Sequence, residues 1–164
     1  MNMTAQLIAT LAELVGFHQN YTDSFGRLVF AKDEARHSLL NAMGYDLSNE
    51  KILQQQITKL TEKSWRDILP PAHIAKSEEQ QHSVVISLKH SQENSLNWSI
   101  TTEAGEKLAG EIVIEELTLV EQTHLEEETF SKYQMSLPNL AEGYHQLKVN
   151  YANISANCHL IFAP

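Results

Sequence analysis

Cysteine is almost absent from this chain of 164 residues, with Cys158 standing alone. A disulfide framework is excluded, and no CxxC or Cys/His spacing around Cys158 suggests a zinc site, so a reducing, cytoplasmic setting is expected. Basic residues are also scarce: 12 Lys and Arg stand against 21 Asp and Glu, for a net charge of -9. The deficit is concentrated in residues 103–128, which hold nine Glu and only Lys107 as a base. Such a surface repels phosphate, so nucleic acid is not an expected partner. Long apolar runs are missing too. The residues from Leu7 to Val15 are broken by Thr10 and Glu13 in a helical rhythm, and the opening residues lack a basic leader segment, so no membrane partner is expected.

What the chain does have is a change of period near its middle. Leu7, Ile8, Leu11, Leu14 and Val15 form one helical stripe closed by Gly16. Ala35, Leu39, Leu40 and Met43 form a second, closed by Gly44. A third, Ile52, Leu53, Ile57 and Leu60, has Ser48 or Asn49 available as N-cap and Trp65 near its far end. Pro70-Pro71 then ends helical continuation, because neither proline donates a hydrogen bond and each drives its predecessor to extended geometry. Beyond it the rhythm is two. Val84, Ile86 and Leu88 alternate with polar or smaller residues, as do Leu96, Trp98 and Ile100, with similar runs at Ile112–Val120, Tyr133–Leu137, Leu147–Tyr151 and Cys158–Phe162. The predicted class is α+β: a helical subdomain of about three helices over 1–70, then an antiparallel, immunoglobulin-like β-sandwich over 71–164. Gly143-Tyr144-His145, just before the Leu147 strand, is where a sandwich places a tyrosine corner.

Tests for chemistry come back empty. Gly105 and Gly110 frame a phosphate loop, yet Glu111 and Ile112 stand where its lysine and hydroxyl belong. Cys158 and His159 are strand neighbours and point to opposite faces. The eight histidines are scattered singly, unlike the clustered ligands of a metal site. Glu111 and Glu115 alternate with Ile112 and Ile114 like the wet side of a strand, not like a catalytic carboxylate pair. No catalytic, cofactor-binding or metal-binding residue is therefore predicted. Trp98 and Trp65 are the two rings that could stack on a glucan, although Trp98 is in phase with Leu96 and Ile100 and so reads first as core. Gly143, Tyr144, Pro70 and Pro71 are predicted to be structural.

Tyr21-Thr22-Asp23-Ser24-Phe25-Gly26, followed by Glu34-Ala35-Arg36 and Leu39-Leu40-Asn41-Ala42-Met43-Gly44, resembles the opening of bacterial 4-α-glucanotransferases, the amylomaltases. The resemblance continues through Leu69-Pro70-Pro71, Trp98 with Glu103 and Gly105, Leu137-Pro138, Gly143-Tyr144-His145 with Leu147, and Leu160-Ile161-Phe162-Ala163-Pro164. It covers residue 7 to the end. In that family helices and a β-sandwich precede a (β/α)8 barrel that transfers α-1,4-glucan segments through an aspartate. A barrel takes about 250 residues, so none of its catalytic carboxylates carries over to this chain. The resemblance implies a non-catalytic front region whose partners are the C-terminal catalytic barrel of the same polypeptide and α-1,4-glucans. Lys32 stands where the family commonly has a Ser before the second helix, which leaves Asp33 as the candidate cap. The alternative is a self-standing sandwich that binds carbohydrate or a protein through a row of exposed rings.

Overall fold

The structure, a computed structural model, describes residues 3–164, and the chain divides into two compact units, 1–63 and 64–164. The first holds α1 (Met3–Leu14), β1 (Asn20–Thr22), β2 (Leu28–Phe30), α2 (Asp33–Ala42) and nearly all of α3 (Glu50–Arg66). Ile8, Leu11, Ala12, Leu40 and Leu53 form its buried core. Helices α1 and α2 end by one device. Gly16 and Gly44 take φ of +83° and +88°, and the residue after each donates back into the last turn, Phe17 N–H to Ala12 O at 2.8 Å and Tyr45 N–H to Leu40 O at 3.0 Å. Helix α3 starts on Asn49, whose Oδ1 accepts the Ile52 N–H at 3.0 Å.

Two local expectations fail here. Lys32 occupies the N-cap of α2 without a side-chain bond, and Asp33 lies inside the helix, where its charge faces the N-terminal end of the dipole instead of capping it. The α2 stripe is also only partly used: Leu40 is fully buried, whereas Leu39 and Met43 are 42% and 50% exposed.

The second unit is a sandwich of two sheets. One has the order β3 (Ala72–Lys76), β10 (Ile154–Ala163), β9 (Gly143–Tyr151), β5 (Ser95–Thr101) and β6 (Lys107–Val113). The other has the order β4 (His82–Lys89), β8 (Glu128–Leu137) and β7 (Thr118–Leu125). Their inner faces share one apolar core, in which Val84, Ile86 and Leu88 meet residues such as Leu96, Ile100, Leu147, Leu160 and Phe162. The α+β class holds. The pairing is mixed, however, because β3 runs parallel to β10, from Ala72 opposite His159 to Lys76 opposite Ala163. Parallel partners need a long crossover, and the six strands between them supply it. Helix α3 stops at Arg66, Ile68 and Leu69 turn into the core, and the Pro71 carbonyl accepts the His159 N–H at 3.0 Å, adding a rung to the parallel pair.

The apolar run from Ile112 to Val120 is not one strand. It breaks at a 3-10 turn, Ile114–Glu116, which carries the chain from the five-stranded sheet to the three-stranded one. Ile114 and Leu117 pack on the core while Glu115 and Glu116 face water.

Candidate functional site

The residues expected to touch glucan lie apart in the second unit. Trp65, in the last turn of α3, is 6% exposed; its ring lies 4.0 Å under the Lys132 ammonium, and its carbonyl accepts the Ser87 hydroxyl at 2.5 Å. Trp98 is half-buried, packed against the core and laid over Gly110 of the neighbouring strand. A Cβ at Gly110 would come within 2.9 Å of the Trp98 Nε1. These contacts give both rings a packing role.

The tyrosine corner expected at Tyr144 is not formed. Along β9 the core side is taken by His145, Leu147, Val149 and Tyr151, so the period of two turns Tyr144 outward, 68% exposed. It is Tyr151, buried at the far end of the strand, whose phenol donates to the Lys89 carbonyl at 2.9 Å and meets Ser91 Oγ at 2.9 Å.

Two segments of the sequence resemblance converge in a structural latch. The Glu103 carboxylate accepts the Tyr144 N–H at 3.2 Å, and the Glu103 N–H donates to His145 Nδ1 at 3.2 Å. Gly143 sits at φ +142°, and a Cβ there would lie 2.3 Å from Glu103 Oε2. A side chain would push that carboxylate aside, and only glycine adopts that backbone without strain. His145 Nε2 in turn bonds the Ala141 carbonyl at 2.9 Å, which makes Nε2 the protonated nitrogen of a neutral ring.

No catalytic arrangement is built among the described residues. His145 and His82 both abut the Phe162 ring edge-on, at centroid distances of 5.7 and 4.7 Å. His73 is held below the usual histidine range mainly by desolvation, with His82 adding to the effect and Glu79 opposing it. His90 Nε2 lies 2.9 Å from Ser131 Oγ, but Ser131 is completely buried and also receives the Gln122 amide at 3.1 Å, so it is no nucleophile. Burial pushes the Cys158 thiol up to about 11, which leaves it protonated and unreactive near neutrality. No group of three or more His, Cys, Asp and Glu among the described residues could hold a metal ion.

Sequence reasoning missed the concave feature of the first unit. Strands β1 and β2 pair as a hairpin, Tyr21 opposite Val29. Its turn is tied by Asp23, whose Oδ1 accepts the Phe25 and Arg27 N–H groups at 2.8 and 2.9 Å and whose Oδ2 pairs with Arg27 Nε at 3.1 Å. The backbone N–H of Arg27 is the largest influence holding the Asp23 carboxyl below its usual range. Between the hairpin and the start of α2 runs an open groove of about 520 Å³, lined by Phe17, His18, Tyr21, Phe30, Lys32 and Ala35 among others. An Asp and a Gly three residues apart, followed by the apolar run Leu28-Val29-Phe30, were the available signal for this turn.

The folded pieces match known proteins in the same way. The family model of the MalQ N-terminal β-sandwich domain matches residues 68–164, more than half of the chain. The chain belongs to that family. Among solved structures 25 chains match, and one of them is the amylomaltase from Corynebacterium glutamicum. It aligns with a TM-score of 0.66 at 22% sequence identity, over 96% of this chain and 22% of the amylomaltase. That level of identity speaks for a shared fold, one that takes in the helices as well as the sandwich. The chain thus spans about a fifth of the length of the amylomaltase it matches. No curated protein matches the chain. The resemblance to the N-terminal region of 4-α-glucanotransferases is borne out by the family match. No described helix is long and apolar enough to cross a membrane.

Proposed function

We propose that residues 1–164 are the non-catalytic N-terminal region of a cytoplasmic 4-α-glucanotransferase, with a helical subdomain over 1–70 and a sandwich over 71–164. In this reading the region supports the catalytic barrel of the same polypeptide and flanks the path of long α-1,4-glucans. The observation that carries it is the family match to an N-terminal sandwich domain over 68–164. The structure adds support: His145 and Ser131 are hydrogen-bonded, Cys158 is a buried, protonated thiol, and the His82 ring packs on Phe162, with its Nδ1 buried and without a partner.

Purified residues 1–164 incubated with maltotriose should release no glucose and form no longer dextrins. Release of both would sink the proposal. A self-standing carbohydrate-binding sandwich needs a row of solvent-facing rings, and among the described aromatic residues of the second unit only Tyr144 is largely exposed. Titration with maltoheptaose discriminates, because a saturable change in tryptophan fluorescence that Trp98→Ala removes would favour the self-standing module.

A further inference from the structure

Unpartnered apolar surface gathers on one stretch of the first unit. Tyr21, Phe25, Leu28 and Phe30 of the hairpin are 59%, 81%, 58% and 67% exposed; Leu28 and Phe30 share one face of it, while Tyr21, paired with Val29, is on the other. Helix α2 continues the pattern: Ala35, Leu39 and Met43 recur at i, i+4 and i+8, one face of a helix, and all three are exposed. Ala35 lines the same groove as Tyr21 and Phe30, so the hairpin and the helical stripe meet there. Residues 20–43 thus present a patch in which a single α2 residue, Leu40, is buried.

Such a patch is a cost unless covered. A two-stranded hairpin of three-residue strands is marginal by itself in water, and clustered large apolar groups mark an interaction surface. The first unit is also nearly neutral, with six Lys and Arg against seven Asp and Glu, so charge does not oppose close approach of another protein surface. A stripe at i, i+4, i+8 beside aromatic anchors is the spacing by which a helix packs on a protein. A hexose would instead ask for polar groups converging around a stacking ring. The occupant follows from the proposed function: the amylomaltase that this chain matches is covered to only 22% of its length, so on that reading the rest of the enzyme is the surface at hand.

We infer that the hairpin and the exposed face of α2, residues 20–43, dock on the catalytic part of the same polypeptide. This rests on the reading of the chain as the front of a 4-α-glucanotransferase, and it assigns the contact to the first unit and not to the sandwich.

Hydrogen–deuterium exchange compares residues 1–164 with the enzyme encoded by the continuous reading frame. Peptides spanning 20–43 should exchange about tenfold more slowly in the full enzyme. The pair Leu39→Asp and Met43→Asp should abolish that protection and lower the melting temperature of the full enzyme, while leaving that of residues 1–164 unchanged, because both side chains are already exposed there. Protection confined to sandwich peptides would overturn this assignment and leave the functional reading standing. Equal exchange everywhere in the two proteins would overturn both. Protection of 20–43 already present in residues 1–164 also refutes the inference: it points to a second copy if it grows with concentration, to the sandwich if it does not, and to a sugar site if it requires maltoheptaose.

Discussion

The two units solve the problem of surface in opposite ways. The second, 101 residues, carries fourteen Asp and Glu against six Lys and Arg, or -8 of the total charge of -9, and closes one core of sixteen buried residues between its sheets. The first, 63 residues, is close to neutral and, among the described residues, has five buried core residues and exposes as many large apolar side chains as its larger neighbour, eight each. The sandwich has the composition of a finished domain, with acids facing water and its aromatics, Tyr144 apart, buried or half-buried. The helical unit spends its apolar residues outward, which is what a docking element needs and an independent domain avoids.

Cutting into the two cores should sharpen this contrast most. Phe162→Ala removes the ring held between His82 and His145 at 2% exposure and should cost about 3–5 kcal/mol. Both tryptophans lie in the second unit, so urea unfolding followed by fluorescence reads that unit. Circular dichroism at 222 nm is dominated by the helices of the first. The fluorescence transition should move to lower urea. Leu40→Ala, at the one buried position of α2, should cost about 2–5 kcal/mol in the helical transition, whereas Leu39→Ala one residue earlier should stay within about 0.5 kcal/mol. Similar losses at both positions would mean that the exposed stripe is packed after all.

Smaller effects probe the latch. Gly143→Ala should destabilise the sandwich by about 1–3 kcal/mol. Adding Glu103→Ala should relieve the clash at Oε2 but not the strain of φ +142°, so a complete rescue would refute the backbone part of the explanation. Cys158 should resist iodoacetamide at pH 7.5 until the sandwich unfolds, as a thiol raised to about 11 requires; labelling at the rate of a free thiol would contradict its burial.

Acidification should produce the smallest change. The folded-state value of His73 lies below 6.5, so the unfolded chain takes up its proton first. The associated stability is intact above about pH 6.5 and is lost as the pH falls through that value toward the lowered one. Chemical denaturation at pH 7.5 and 5.5 should show this loss, and His73→Gln should reduce it. A sandwich that became more stable at pH 5.5 would contradict the sign.

Much of this was legible from periodicity. Most of the α1 stripe, the closing glycines 16 and 44, the Asn49 cap and the alternation of β4, β5 and β9 are local facts, fixed by side-chain spacing and backbone freedom; Leu14 is the exception in α1, 45% exposed while Ala12 is buried in its place. What was not legible depends on partners distant in sequence. The parallel seat of β3 beside β10 rests on a strand more than seventy residues away, and nothing near Ala72 announces it. Tyr144 and Tyr151 share a strand, and only the phase of β9 against the core decides which ring turns inward. Periodicity also could not distinguish an apolar stripe that packs within its own unit from one that waits for a partner. The α2 stripe is such a case, with Leu40 buried and Leu39 and Met43 exposed.

The most direct test of the central claim is the thermal stability of the catalytic part with and without residues 1–164, measured alongside transfer activity on maltotriose. If this region supports the barrel, deletion should lower the melting temperature of the remainder and reduce activity on the short substrate as well. An unchanged melting temperature with full activity on maltotriose would contradict the account.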